Sequence, residues 1–216
     1  MGFYRGPNIV RDGLVFAIDA GSERSYPGSG TVVTNLVGAG TGNLINGVVF
    51  SSNNGGTWDF DGVDDYINLS FNTLSSNAGT IDVWVQRNGT TGNSFVFAKV
   101  GVDTNRYYLR QVGTDNFDAA RGNPLSSAGF GSLNLNEYYN LVMTWNTNTI
   151  YAYKNGILQN TTSYTNPGTD ITDGTIGSGP GAWITMGLTK FNIYNRTLTS
   201  SEILQNYNAQ KSRFGL

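Results

Sequence analysis

Tyr139–Asn140–Leu141–Val142–Met143–Thr144–Trp145–Asn146, followed by Ile150–Tyr151–Ala152–Tyr153–Lys154–Asn155–Gly156–Ile157–Leu158, decides the fold of this chain. In the first run Tyr139, Leu141, Met143 and Trp145 alternate with Asn140, Val142, Thr144 and Asn146, the period of two that belongs to a β-strand. In the second, Ile150, Ala152 and Lys154 alternate with Tyr151 and Tyr153. Asn155–Gly156 is the dipeptide of a type I′ turn, whose two central residues both need positive φ. The stretch therefore reads as two strands and a tight return into a third.

The same grammar extends outward. Ile81, Val83 and Val85 alternate with Asp82, Trp84 and Gln86. Leu14–Val15–Phe16–Ala17–Ile18 predicts a buried opening strand, and 94–100, 106–112 and 184–194 predict further ones. Trp58–Asp59–Phe60 and Tyr66–Ile67–Asn68–Leu69 are expected to pair around the turn Asp61–Gly62–Val63–Asp64. Residues 21–31, 113–133 and 163–181 read as long loops. One helix is expected: Thr199–Ser200–Ser201–Glu202 forms a capping box, with Ile203, Leu204 and Tyr207 on the docking face. Many short strands between Gly/Asn/Ser/Pro clusters predict an all-β, two-sheet antiparallel jelly-roll sandwich with one short C-terminal helix. A single domain over 13–216 would follow an N-terminal arm or docking strand over 1–12.

Composition narrows the function. The chain has 216 residues and no Cys or His, which removes thiolate nucleophiles, Cys metal sites and the commonest general base. Charged residues make up 13% of it, with a net charge of −2, against roughly a quarter in ordinary proteins. Lys and Arg are scattered singly, so no clustered positive charge is available for nucleic acid. No run approaches a membrane span. Residues 1–12 lack an apolar core, so no secretory signal is expected and folding in a cytoplasm is. A neutral surface of Asn, Thr, Ser and Gly suits assembly into a larger particle.

Phe60–Asp61–Gly62–Val63–Asp64–Asp65–Tyr66–Ile67, Gly79–Thr80–Ile81–Asp82–Val83–Trp84–Val85 and Leu141–Val142–Met143–Thr144–Trp145 resemble the concanavalin A-like lectin/glucanase superfamily, in particular its laminin G-like jelly rolls. The hairpin at 150–156 and Phe191–Asn192–Ile193–Tyr194–Asn195–Arg196–Thr197–Leu198 continue the likeness. Where family members often carry Gly before the last strand and Asp–Glu within it, this chain has Met186, Thr189 and Lys190, so no metal or ligand role is carried over there. The two ends, Gly6–Pro7–Asn8–Ile9–Val10–Arg11–Asp12–Gly13 and Leu204–Gln205–Asn206–Tyr207–Asn208–Ala209, are similar to those of lectin-like structural proteins of tailed phages. That resemblance implies a virion component: a capsid decoration, head-fibre or tail-associated subunit contacting other virion proteins. The alternative it leaves is a free-standing carbohydrate-binding lectin. Self-association is compatible with either.

Catalysis is not expected. Glycoside cleavage needs two carboxylates facing the scissile bond, whereas Glu23, Glu137 and Glu202 stand apart from one another. No cofactor is required. Asp61, Asp64 and Asp65 form an acidic turn that offers oxygens to a structural calcium, or simply bonds its own backbone. For a glycan, an exposed ring beside amides is needed. Trp183, Tyr164, Tyr26 and Asn166, in or beside expected loops, are the candidates. Trp84 and Trp145 are expected in the core, and Trp58 is left open. Phe3, Tyr4 and Arg5 are the candidate attachment residues of the arm.

Overall fold

The computed structural model describes residues 8–90, 92–100, 106–166 and 168–216. Phe3, Tyr4 and Arg5, the expected attachment residues, lie outside them. In chain order the strands are β1 (Leu14–Asp19), β2 (Val32–Thr34), β3 (Gly40–Ile45), β4 (Val49–Ser51), β5 (Thr57–Asp61) and β6 (Tyr66–Leu74). Then come β7 (Gly79–Arg87), β8 (Ser94–Val100), β9 (Arg106–Val112), β10 (Asn116–Arg121), β11 (Ser126–Ser132) and β12 (Tyr138–Trp145). The last third holds β13 (Thr149–Lys154), β14 (Ile157–Ser163), β15 (Ile171–Ile176), the two-residue β16 (Ser178–Gly179) and β17 (Ala182–Trp183), and β18 (Thr185–Tyr194). The helix α1 (Ser200–Gln210) follows.

Two eight-stranded antiparallel sheets result. The first runs β14-β13-β12-β7-β18-β5-β4, with β1 also on β18; the second runs β11-β10-β9-β8-β15-β6-β3-β2. The ten-residue β18 organises the first sheet: β7 pairs with it from Met186 to Tyr194 around a bulge at Thr189, β5 takes Thr185 to Leu188, and β1 takes Lys190 to Tyr194. Between the sheets lies one apolar core. Phe16, Trp58, Ile81, Val83, Leu141, Met143 and Trp145 meet Ile67, Leu69, Phe97, Leu109 and Ile176 there. All three of Trp58, Trp84 and Trp145 are fully buried. The hairpin between β13 and β14 turns at Asn155 and Gly156, both at positive φ (53° and 78°), as its dipeptide demands.

β12 is buried at all eight positions, because its outward face is covered too. Trp84 stacks on Phe214 with ring centroids 4.2 Å apart and on Tyr207 at 5.8 Å. Asp82, buried beneath α1, accepts Asn140 Nδ2 at 2.6 Å on one oxygen and Asn206 Nδ2 at 3.2 Å on the other. Burial still pushes its carboxyl above the usual range, and those bonds partly oppose it. Asn206 also accepts the backbone N–H of Val10 and donates to Tyr194 Oη. The capping box forms as expected: Thr199 Oγ1 accepts from the Glu202 amide, and Glu202 accepts from that of Thr199. The docking face differs by one residue. Leu204 is exposed while Asn206 is buried, since the helix docks on a polar network as well as on Val142 and Tyr194.

Three expectations are corrected. β5 and β6 do not pair; the turn between them carries the chain from one sheet to the other. Residues 113–133 are no loop but the hairpin β10–β11, in which Asn116 pairs with Ser132 and Arg121 with Ser126. Its inward positions include Ala119 and Ala128, too small to print a hydrophobic alternation. Residues 163–181 contain β15, whose paired Gly174 lies against the Phe97 ring. The segment 32–51 adds β2 to β4, where Gly, Thr and Asn mask the pattern.

Glu202 carries the acid sensitivity of this region. Its carboxylate takes two hydrogen bonds from the Arg196 guanidinium, at 2.6 and 2.9 Å, which hold it down to about 2. A folded-state value below the unfolded one stabilises above the unfolded pKa and is lost as pH falls through the folded one. Glu202→Gln keeps the cap but removes the charge. Urea unfolding should show the variant about 1 kcal/mol less stable than the parent above pH ~5, with the two converging towards pH ~2. A gap independent of pH would contradict the assignment.

Candidate functional site

The short ladder β16–β17 lies across the outer face of the second sheet, over β8. It sits there because Phe95 and Tyr108, with ring centroids 5.0 Å apart, form a small apolar patch with Ala98 and Ala120, and Ala182 packs on it. Gly179 permits the close approach: a Cβ there would fall 2.3 Å from the Phe95 ring. Beside this ladder opens a pocket of about 420 Å³ lined by Asn68, Lys99, Asp173, Thr175, Ser178 and Pro180 among others. Its size lies within the range of small-ligand sites. Thr175 Oγ1 donates to Ser178 O at 2.8 Å and so fixes the ladder to β15. Lys99 and Asp173 pair across the pocket, with the Asp173 side chain half exposed. Trp183 is the cross-strand partner of Ser178 and is half-buried. The pocket thus gathers hydroxyls, an amide, an ammonium and a carboxylate next to the ladder that carries Trp183.

The four expected glycan residues are not brought together. Trp183 alone is on the ladder beside this pocket, opposite its lining residue Ser178. Tyr164 is 6% exposed, stacked under the Arg121 guanidinium at 4.7 Å. Its hydroxyl accepts from Arg121 at 2.8 Å and donates to Asn146 O at 2.8 Å, and burial pushes it up to about 12. Tyr26 is 5% exposed, against Phe50 at 5.3 Å and Trp58 at 5.8 Å. Both rings are buried, although Tyr26 lines a separate cleft of about 310 Å³ with Glu23, Pro27 and Phe50. Asn166 donates to Ser76 O and Asn77 Oδ1 and accepts from the Gly168 amide; it closes a loop near Tyr164. Asn68, Lys99 and Asp173 carry no signal in the sequence, since each is a polar residue on an ordinary strand.

Oxygens of Asp61, Asp64 and Asp65 lie within 4.8 Å of one another, as ligands of one calcium at about 2.4 Å would. They supply three of the six to eight oxygens such an ion takes. Two are already engaged: Asp61 Oδ1 accepts from Val63 at 2.7 Å, and Asp65 Oδ2 from Asp61 at 3.1 Å. Burial, helped by the neighbouring Asp61 and Asp64 charges, pushes Asp65 up. Asp61 and Asp65 thus bond the backbone of their own turn, as the alternative reading of the cluster expects.

Residues 61–204 match the family model of the concanavalin A-like lectin/glucanases superfamily. The chain belongs to that family. No curated protein matches it in sequence. Among solved structures it is similar to the receptor binding domain of botulinum neurotoxin C/D mosaic serotype (TM-score 0.76, 13% identity), covering 93% of this chain and 52% of that one. It is similar also to Trypanosoma rangeli sialidase (TM-score 0.70, 19% identity), covering 93% of this chain and 33% of the sialidase. The receptor binding domain of botulinum neurotoxin type G matches at TM-score 0.73 and 13% identity, over 92% and 52%. The chain thus spans about a third to a half of these proteins, and at such identities the likeness is one of fold.

Proposed function

We propose that this lectin-like domain is a non-enzymatic carbohydrate-binding module whose site is the pocket beside Trp183. The carrying observation is that Trp183, half-buried, stands opposite Ser178 on the ladder, and Ser178 lines a pocket that also holds Asn68, Lys99 and Asp173. An indole face takes the apolar side of a pyranose, while amide, hydroxyl and carboxylate groups fix its hydroxyls. The fold itself gives no function, although it recurs in a sialidase determined with sialic acid and in toxin receptor binding domains.

The non-enzymatic reading is supported by the placement of the acids. Glu202 is held by Arg196 and the helix cap, Glu137 by Tyr139 and Asn134, and Glu23 is exposed. Asp61 and Asp65 bond the backbone of their own turn. Asp173, the pocket's carboxylate, is tied to Lys99. A glycan array probed with the parent and with Trp183→Ala tests the site. The parent should give a glycan signal and the variant should lose it while unfolding at the same temperature. No signal from the parent at high protein concentration would overturn the reading.

A second reading sets this module on a virus particle, as a capsid decoration, head-fibre or tail-associated subunit. It is favoured by the likeness of residues 6–13 and 204–209 to the ends of tailed-phage structural proteins. Purified particles should then contain the polypeptide at a fixed copy number. Its recovery only from the soluble fraction of infected cells would remove this reading and leave the first intact.

A further inference from the structure

The outer face of the first sheet is only partly covered by α1. Directly opposite residues in a sheet share a face, and one such row runs Tyr138, Gln86, Gly187, Asp59, Val49 across β12, β7, β18, β5 and β4. Its neighbours along the strands, Tyr139, Val85, Leu188 and Trp58, are core residues, so this row points away from the core. At its centre Gly187 has no side chain. A Cβ there would fall 2.8 Å from Thr57 Cγ2, 3.1 Å from Asp59 Oδ1 and 3.5 Å from Asn88 Nδ2. The glycine thus sits beneath a cleft of about 490 Å³ lined by Ser51, Asn53, Asn54, Thr57, Asp59, Gln86, Asn88, Asn136 and Tyr138.

Two properties set this cleft apart from ordinary wet surface. Every side chain lining it is polar or carries a hydroxyl, and no Lys or Arg is among them. Several are also unspent. Asp59 is half-buried, yet its carboxylate has neither a hydrogen bond nor an ion pair among the described residues, and burial pushes it up. Asn88 Oδ1 is enclosed and has no donor. Burying a polar atom without a partner is costly, so a group left in that state marks a place where a partner is missing. Tyr138 is the fixed wall: its ring lies 4.9 Å from Phe214, and its hydroxyl takes Asn54 Nδ2 at 3.0 Å.

We infer that this cleft is a second ligand site, distinct from the Trp183 pocket on the other sheet, and that its ligand is a neutral saccharide. The unspent groups mix acceptors, on Asp59 and Asn88, with the amide donors of Asn53, Asn88 and Asn136. A sugar hydroxyl donates and accepts at once and so meets both kinds. An ammonium would satisfy only the acceptors. An anion, whether carboxylate, sulfate or phosphate, would meet the uncompensated charge of Asp59 with no cation to offset it. Asp59 is the specificity-determining residue, with its two oxygens placed to take a pair of adjacent hydroxyls.

Saturation-transfer NMR on the full chain with neutral disaccharides (cellobiose, maltose and lactose), and with glucuronic and sialic acids as anionic controls, tests the inference. The variants are Asp59→Asn, which keeps the side chain's shape, Asn136→Ala on the exposed rim, and Trp183→Ala. Expected is a neutral-sugar signal in the parent that survives in Trp183→Ala and weakens about tenfold in affinity in Asp59→Asn, the worth of one charge-assisted hydrogen bond. Asn136→Ala should weaken it as well. A signal lost in Trp183→Ala and unchanged in Asp59→Asn would overturn this site while supporting the Trp183 reading. A signal unchanged in all variants, or stronger for the anionic sugars, would also overturn it. No signal from the parent with any sugar would overturn both sites.

Discussion

Everything in the first sheet depends on covering its outer face. β7, β12 and β18 carry large side chains on both faces: Ile81, Val83 and Leu141 inward, Trp84, Val142 and Tyr194 outward. Left to solvent, the outward set would expose a broad apolar patch. The C-terminal segment prevents this by laying Ile203, Tyr207 and Phe214 over it. Its seat is polar and specific. Asn206 joins α1 to Asp82, Tyr194 and Val10 in one network, and a buried carboxylate such as Asp82 tolerates few other arrangements. The cap therefore fixes where the helix lies and, by its limited length of about 16 Å, where it stops. The polar row around Gly187 begins where the rings of Phe214 and Tyr138 end.

Much of this was legible in the chain. The alternation at 139–145 and 150–154, the Asn155–Gly156 turn and the Thr199–Glu202 capping box each name a local conformation through a physical requirement, and each appears at its place. What escaped was of two kinds. Strands built from Ala, Gly, Thr and Asn, such as β10, β11 and β3, pair through their backbones and leave no hydrophobic period to read. Sheet membership was the other: a turn at 61–65 looks like a hairpin whether its strands pair or part, and only the partners of β5 and β6 decide.

The site residues divide along the same line. Aromatic residues in expected loops read as exposed, yet Tyr26 and Tyr164 fold back under the sheets, where Trp58 and the buried Arg121 give them partners. Among the described residues no carboxylate pairs with Arg121; Tyr107, Trp145 and Tyr164 surround it instead, a cation held by ring faces. Trp183 differs because its neighbours are small. Gly179 and Ala182 let a two-residue ladder rest on Phe95 and Tyr108, with Trp183 half-buried on it opposite Ser178. Lys99 and Asp173 lie nearly 75 residues apart in sequence and meet only through the pairing of β8 with β15, which no local pattern announces.

The carbohydrate-binding reading is tested most directly by following every backbone amide and indole N–H of the ¹⁵N-labelled chain during titration with a glycan that binds. The account predicts shifts at the Trp183 indole and at the amides of Lys99, Asp173, Ser178 and Gly179, with α1 unmoved. Shifts confined to α1 and the β14 edge, with the Trp183 indole silent, would contradict it.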